Sequence, residues 1–420
     1  MAITQEELGR RLRSAREALG MTQEDVALHL QLSRPTIAQV EAGNRAVSSL
    51  ELDQFARLFG RDIREFLAPE FEDEDALRAL FRAQPGFAVS DEILSTLVSW
   101  RNKARALTSL EKLLDLPQRL CTATVYDSPS PASRWAAIQQ GEHVAVEERA
   151  RLGLGKAPVS NAPELLESQG VRTALEPLPE DVSGLTLQER GLGLVVVVNE
   201  THAPLRHRFS FAHEYAHVLL DRSRGGMVSR IEDRDDLVEI RANAFAASLL
   251  MPAEGVREFV RELGKGFGSR QSAEVYDYDD VPPLKVEGRA PPRSQDIQMY
   301  DVIQAAEHFG VSRMAMIYRF KNLRFISQPE LDSLKQQEET RYTEEMARLL
   351  GAKNAFSRDE SLSVFRRRFI TAALEAYRRS LISQGKFVEL GVLVGFTHDE
   401  LRVLQEAAGV SDDEDEDSRE

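Results

Sequence analysis

The sequence FSFAHEYAHVLL, residues 209–220, decides most of what can be read about the fold and chemistry of this chain. Two histidines four residues apart lie on one face of a helix, so His213 and His217 can hold one Zn²⁺ together. Glu214 follows the first histidine and would point beside the metal, where it could take a proton from the attacking water. Two histidines on an ordinary polar helix face are the alternative interpretation. The chain has only 8 histidines, and chance rarely places two of them in this pattern.

A catalytic zinc usually has three protein ligands and one open position, so a third donor must come from outside this motif. Glu239 is the best candidate, because it begins the stretch EIRANAFAASLLMP, residues 239–252, whose apolar face could pack against the histidine helix. Three nearby acids compete for the role: Glu232, Asp235 and Asp236. Glu239 could instead serve only to favour the N-terminus of its own helix.

Attack of water on a peptide carbonyl creates an oxyanion that a donor group should stabilise. Five side chains are chemically able to do so: Tyr215, His207, Arg208, Tyr300 and His308. The sequence does not choose among them. It does exclude a thiolate metal cluster and an intrachain disulfide within one chain, because Cys121 is the one cysteine. A transition metal must therefore use histidine and carboxylate ligands.

A second pattern lies near the N-terminus, where short amphipathic helices follow one another between residues 6 and 67. Thr22 and Ser33 are each suited to cap a helix, and only the turn at residues 31–32 separates those two helices. This arrangement is typical of a helix-turn-helix motif, whose second helix enters a major groove of DNA. That helix carries three side chains able to read bases or hold phosphates: Arg34, Thr36 and Gln39. A helical bundle used only for dimerisation or partner binding is the alternative.

Residues 21–43, MTQEDVALHLQLSRPTIAQVEAG, resemble the Cro/C1-type helix-turn-helix family, also called XRE. The resemblance covers about 60 residues. It implies that the partner is double-stranded DNA. The residues that the resemblance places at the DNA face are Gln23, Arg34, Thr36 and Gln39, and those that it places near the DNA backbone are Asn44 and Arg45. A homodimer would double the contacts to DNA.

The region around the histidine helix is similar to the ImmA/IrrE metallopeptidase family. The similarity is carried by Arg208-Phe209 before the histidine motif and by E-x-x-A-N-x-F-A-x-x-L-L-M-P from Glu239, and it extends over residues 135–325. It implies that His213, His217 and Glu239 are the zinc ligands, that Glu214 is the catalytic base, and that the substrates are helix-turn-helix repressors. Ala216 stands where the family often has glycine, and alanine is also small.

The elements around these motifs predict a mostly α protein with a small β-sheet, an α+β fold. Strands are expected between residues 171 and 199, and the β-branched run LGLVVVVN, residues 192–199, is typical of a buried strand. The segment at 264–293 is rich in Gly, Pro and Asp, which indicates a long loop or an insertion. The rest reads as helices.

Five regions follow from this pattern. Residues 1–69 form an all-α helix-turn-helix domain, 70–133 a helical linker, and 134–335 a zincin-like α+β metallopeptidase domain. Residues 336–409 form a helical C-terminal region whose arginines are best explained as a solvated helix face. The acidic residues at 410–420 form a disordered tail, because like charges without apolar residues cannot offset the entropy of ordering.

Composition narrows the class of protein further. No apolar stretch reaches the roughly 20 residues needed to span a bilayer, and the N-terminus lacks the basic and apolar parts of a secretory signal, so we expect a cytoplasmic protein without a membrane partner. A formal net charge of −15 argues against coating of nucleic acid without sequence preference.

The leading hypothesis is a DNA-binding regulator that responds to stress or phage and carries a zinc-dependent endopeptidase domain acting on a repressor or antitoxin-like partner. The main alternative is a transcription factor whose metal-binding domain senses a ligand or holds a partner without proteolysis. A third possibility is an antitoxin or adaptor with a structural zinc. Structural sites usually fill all four positions with protein ligands, which suits three nitrogen and oxygen donors less well.

Overall fold

The computed structural model of the protein describes residues 3–18, 21–59, 63–67, 91–116, 122–189, 193–222, 226–266, 270–275, 284–289, 294–350 and 364–408. Cys121, residues 70–90 of the expected helical linker and the expected acidic tail at 410–420 lie outside these residues. The described helices and strands make a mostly α protein with a small sheet, as the sequence predicts. Among the described helices, none is both long and apolar enough to cross a membrane.

The described residues of the N-terminal domain form five helices around an apolar core of their own. They are α1 (Gln5–Ala18), α2 (Gln23–Leu30), α3 (Arg34–Glu41), α4 (Ser49–Leu58) and α5 (Ile63–Leu67). The Thr22 hydroxyl accepts a hydrogen bond from the backbone of Asp25, whose carboxylate bonds back, and this capping box begins α2. Gln31 ends α2 in the left-handed region at φ 55°, and Ser33 caps α3. The short turn predicted at residues 31–32 therefore connects α2 to α3.

The central domain is built on a four-stranded sheet with the order β1-β3-β2-β4. Its strands are β1 (Arg172–Glu176), β2 (Val182–Glu189), β3 (Gly193–Asn199) and β4 (Gly226–Arg230). β1 runs parallel to β3, whereas β2 runs antiparallel to both β3 and β4. The first three strands fall within the predicted 171–199 region, but β4 follows the histidine helix and was not expected.

Helices cover both faces of this sheet. In chain order they are α6 (Asp91–Leu113), α7 (Arg134–Arg151), α8 (Ala162–Ser168), α9 (Pro204–Leu220), α10 (Leu237–Leu250) and α11 (Ala253–Glu262). They continue as α12 (Met299–Phe309), α13 (Arg313–Asn322), α14 (Gln328–Glu338), α15 (Arg341–Leu349), α16 (Val364–Arg378), α17 (Gln384–Leu393) and α18 (His398–Ala407). A short 3₁₀ helix, Glu232–Asp235, precedes α10.

The alternation of β3 side chains separates two cores. Val196 and Val198 pack into the core that contains α9 and α10, while Val195 and Val197 pack into the core that contains α6, α16 and α17. Both faces of β3 are buried, which explains its unbroken run of apolar residues. The predicted linker helix α6 thus shares a core with helices of the C-terminal region.

One expectation from the sequence is corrected by the structure. The segment at 264–293 was expected to be a long loop or an insertion, and the loop interpretation was wrong, because its described parts contain β5 (Arg270–Val275) and β6 (Leu284–Arg289), paired as an antiparallel hairpin. Most of the Gly and Pro residues of the segment lie outside the two strands, so the average composition did not indicate them. The strands themselves are held together by backbone hydrogen bonds.

Candidate metal centre and nucleic-acid interface

Two helices of the central domain bring the predicted metal ligands together. α9 begins with Pro204 and carries His213, Glu214 and His217 on buried turns. α10 begins where the Asp236 carboxylate accepts a hydrogen bond from the Val238 backbone, 2.8 Å away, and this cap leaves Glu239 in the first turn. Both helices pack in the same core, so a histidine pair from one meets a carboxylate from the other.

The three side chains form a compact set of donors. The Nε2 atom of His213 lies 3.0 Å from Glu239 Oε2, and the Nε2 atom of His217 lies 3.3 Å from Glu239 Oε1. The two Nε2 atoms are 3.3 Å apart, and all three ligand atoms lie within 4.8 Å of one another. Two imidazoles and one carboxylate are the ligand set of several catalytic zinc sites. The competing acids have other places: Asp236 caps α10, and Glu232 and Asp235 are exposed.

The outer ring nitrogens of both histidines are held by neighbouring side chains. The Nδ1 atom of His213 lies 3.0 Å from Asn243 Oδ1, and the Nδ1 atom of His217 lies 3.0 Å from Asp221 Oδ2. Arg241 in turn donates to Asp221 at 2.6 Å. When Nδ1–H donates to these oxygens, each Nε2 keeps its lone pair for a metal. The arrangement therefore orients both rings toward the shared centre.

Electrostatics at the centre favour a positive charge. Burial disfavours the charged form of His217, but Glu239 and Asp221 outweigh burial and raise the pKa of this histidine to about 10. Burial also opposes ionisation of Glu239, yet the two histidines lower the pKa of this carboxyl well below its usual range. A cation between these groups would replace the proton that they otherwise share.

Glu214 is fully buried beside the three donors, and a strand holds it there. The Thr186 hydroxyl, on β2, donates to Glu214 Oε2 at 2.7 Å. The other carboxylate oxygen, Oε1, is buried and lacks a hydrogen-bond partner among the described residues. A Cβ at Gly184 would lie 2.8 Å from that oxygen, so a larger residue at this position would displace the Glu214 carboxylate from its present place. A buried carboxylate oxygen without a partner fits a site built for a water or a metal.

The five residues considered for oxyanion stabilisation have different surroundings and contacts in the structure. The hydroxyl of Tyr215 donates to Glu148 at 2.5 Å, and Arg208 donates to the backbone carbonyls of Val159 and Ser160. His308 packs against Phe259 and Phe309, Tyr300 accepts a hydrogen bond from Lys265, and burial lowers the pKa of His207. Ser229, on β4, is a further polar group at the donor set, with Oγ 3.2 Å from His213 Nε2.

Sequence reasoning missed several residues of this centre. Asn243 lies inside the quoted E-x-x-A-N pattern, and that position could have indicated its role beside His213. Asp221 lies one helical turn beyond His217, where i and i+4 side chains meet. Thr186 and Ser229 come from strands β2 and β4, outside the two helices that carry the ligands, and nothing in their local pattern indicates this site.

The recognition helix α3 presents its predicted face to solvent. Ile37 and Val40 are buried in the domain core, whereas Arg34 and Gln39 are exposed. Thr36 is half-buried, with its hydroxyl 2.8 Å from the hydroxyl of Ser33. The outer face of α3 is therefore available to a groove of DNA, with two long polar side chains at its surface.

The other expected DNA contacts are partly engaged within the domain. Gln23 donates to Glu41 at 2.9 Å, and Arg16 pairs with the same carboxylate. Arg45 forms an ion pair with Glu51 at 2.7 Å, while Asn44 is exposed. Gln23 thus helps to hold the buried Glu41, which the sequence did not indicate.

Comparison with known proteins gives two domain matches. The model of a helix-turn-helix domain matches residues 7–67, and the model of an IrrE N-terminal-like domain matches residues 166–266. The second match begins later and ends earlier than the 135–325 span of the resemblance. No curated protein matches the chain.

Two solved structures align over most of the chain. The crystal structure of ComR from Streptococcus suis has 13% identity, covering 96% of this chain and 97% of that chain with a TM-score of 0.16. The apo form of the competence regulator ComR from Streptococcus vestibularis has 11% identity, covering 96% and 99% with a TM-score of 0.15. Scores this low carry no argument about fold or function. The domain matches and the motifs together show that the chain joins an N-terminal helix-turn-helix DNA-binding domain to a central IrrE-like peptidase domain.

Proposed function

We propose that this protein is a cytoplasmic DNA-binding regulator whose central domain is a zinc-dependent endopeptidase. Its substrate is a helix-turn-helix repressor or an antitoxin-like partner, cleaved in response to stress or phage. The observation that carries the proposal is the buried set of His213, His217 and Glu239 with the carboxylate of Glu214 beside it.

Each residue of the set has a defined task in this proposal. His213, His217 and Glu239 hold the zinc, which when bound polarises a peptide carbonyl and supplies an activated nucleophile. Glu214 accepts the proton of the attacking water at Oε1, the oxygen that Thr186 leaves free, and later gives it to the leaving amine. Three protein ligands leave a coordination position open, as catalysis requires.

The burial of the centre supports a second candidate function. His213 and Glu239 are each 5% exposed, His217 1% and Glu214 0%. A polypeptide must reach these atoms to be cut, so in this conformation the centre suits a metal-dependent sensor or partner-binding module better than an open protease. The alternative is therefore a transcription factor that binds metal without proteolysis.

Glu214→Gln separates the two candidates. We expect the wild type and the variant to bind equal zinc by elemental analysis, because Glu214 is not among the ligands. We expect only the wild type to cleave the product of a neighbouring repressor gene. Glu254→Gln, which changes an acid of α11 without touching the centre, is the matched control. Zinc without cleavage in the wild type would favour the sensor, and absence of zinc from both would remove the metal centre.

The DNA-binding part of the proposal is tested on α3. Arg34→Ala combined with Gln39→Ala should weaken binding to the selected operator, since each base contact contributes about 1–3 kcal/mol. Fluorescence anisotropy with operator and unrelated duplexes measures the change. Arg57→Ala is the control, because Arg57 is exposed on α4 and its removal takes away one positive charge and an exposed ion pair with Asp53. If the double variant binds its operator with wild-type affinity, α3 is not the recognition helix.

A further inference from the structure

A cavity of about 410 Å³ lies on the face of the sheet opposite the metal centre. Its walls are the C-terminal end of α6 and one side of α16, both of which pack in the core of Val195 and Val197. The metal-bearing helix α9 packs in the core of Val196 and Val198 instead. The cavity is therefore separated from the metal centre by the central strand, and no step proposed above uses it.

The walls of the cavity combine apolar and basic groups. Leu114, Leu116, Val364 and Ala372 supply apolar surface. Arg367, Arg368 and Arg379 supply guanidinium groups. A volume in this range holds a small molecule, and pockets of this kind place a few polar groups around an apolar lining.

Two of these three arginines have close carboxylate partners in the walls, although Glu375 is shared with Arg378, which does not line the cavity. Arg368 pairs with Glu111, and Arg379 pairs with Glu375 at 2.6 Å. Arg367 faces Glu164 at 3.8 Å, a distance at the outer limit of an ion pair, and its side chain is 60% exposed. Among the described residues of the walls, Arg367 thus has the loosest ion pair, and its guanidinium can make a charge-assisted, bidentate contact to a ligand.

The base of the cavity links four elements that are distant in the sequence. Glu111 of α6 contacts Arg368 of α16 and lies 3.6 Å from Arg172 of β1. Arg368 also lies 3.4 Å from Glu167 of α8. A ligand that engages this cavity would thus contact α6, the helix preceding the peptidase domain, and α16, which follows it.

We propose that this cavity is a binding site for a small organic monoanion with an apolar body. The anionic group contacts Arg367, and the apolar body packs against Leu114, Val364 and Ala372. The proposal goes beyond the function proposed above and depends on neither zinc nor proteolysis.

The test uses anilinonaphthalene sulfonate, a fluorescent anion with an apolar body, added to the full-length protein. We expect one saturable site, an affinity about tenfold weaker in Arg367→Ala, and loss of binding in Thr371→Trp, whose indole would fill the cavity. Arg402→Ala, which removes an exposed arginine of α18, should bind the probe as the wild type does. Circular dichroism and thermal unfolding of each variant show that the fold is retained.

A second probe tests the preference for an anion. Phenyl-naphthylamine has a similar apolar body without the charge, and we expect it to bind about tenfold more weakly than the sulfonate. Equal binding of the two probes would overturn the anion assignment. Undiminished sulfonate binding by a folded Thr371→Trp variant would overturn the site itself.

Discussion

Individual residues around the metal centre have separable roles in orientation and charge. Asp221 is 6% exposed and connects His217 to Arg241, so it orients a ligand and neutralises a buried cation together. Asn243 orients His213 with a neutral group. Because one partner is charged and the other is not, we expect the two histidines to depend on their partners to different extents.

Asp221→Asn tests this orienting role. The amide keeps the size of the side chain but removes the charge that faces His217 and Arg241. We expect zinc affinity to fall about 10–100-fold, as for other outer partners of metal-bound histidines. Competition with a chromophoric chelator measures the affinity. Asp399→Asn on the exposed end of α18 is the control, and unchanged affinity in Asp221→Asn would show that the ring of His217 is held by packing alone.

At the scale of elements, the centre depends on how closely α7 and α10 cross. Gly141 of α7 lies against the backbone of α10, where an added Cβ would be 2.3 Å from the carbonyl oxygen of Arg241 and 2.8 Å from the backbone nitrogen of Phe245. The same stretch of α10 carries Glu239 and Asn243 toward the centre. Glycine at this crossing therefore allows α7 and α10 to pack closely. A larger residue would shift α10, and with it the ligand that α10 carries toward α9.

Gly141→Ala should force the two helices apart. Overpacking typically costs about 1–3 kcal/mol in the free energy of unfolding, and contacts of 2.3 and 2.8 Å with backbone atoms place this site in the upper part of that range, above the roughly 1 kcal/mol that alanine gains in helix propensity. Urea unfolding measures the loss. Gly385→Ala is the matched control: Gly385 lies in α17, its added Cβ meets nothing within 4 Å, and we expect it to be neutral or stabilising by about 0.4–1 kcal/mol. Equal stability of the two variants would contradict this account of the crossing.

At the scale of the whole molecule, apolar side chains form three clusters rather than one. The first five helices enclose one cluster, and the two faces of the sheet enclose the other two. The metal ligands belong to the cluster of α9 and α10, and the DNA-facing helix α3 belongs to the N-terminal cluster. Metal should therefore stabilise one part of the molecule without acting directly on the other.

Calorimetry of the full-length protein tests this division. Zinc at 100-fold above its Kd should add about 2.7 kcal/mol to the stability of the unit that binds it. We expect the transition of the central domain to move upward in temperature and that of the N-terminal domain to stay in place. Chelator should reverse the shift. A common upward shift of both transitions would mean that metal binding and the DNA-binding domain are thermodynamically coupled.

The sequence alone determined the features that depend on short spacing along a helix. The four-residue interval between His213 and His217 places both rings on one helix face whatever surrounds them. The position of Glu214 beside the metal site is set by the same helix. Capping by Thr22 and Ser33 is equally local, which is why the helix-turn-helix could be predicted with its turn. The run at residues 192–199 was recognisable as a buried strand because both of its faces are apolar.

Tertiary structure decided what depends on contacts between distant elements. Glu232, Asp235, Asp236 and Glu239 offer the same carboxylate chemistry in sequence, and only the packing of α10 on α9 brings Glu239 between the two histidines. Thr186 and Ser229 reach the centre through strand pairing, and Gln23 turns toward Glu41 because the core of the N-terminal domain buries that acid. Local patterns carry no information about such contacts, because burial and partner choice are set by residues brought together from far along the chain.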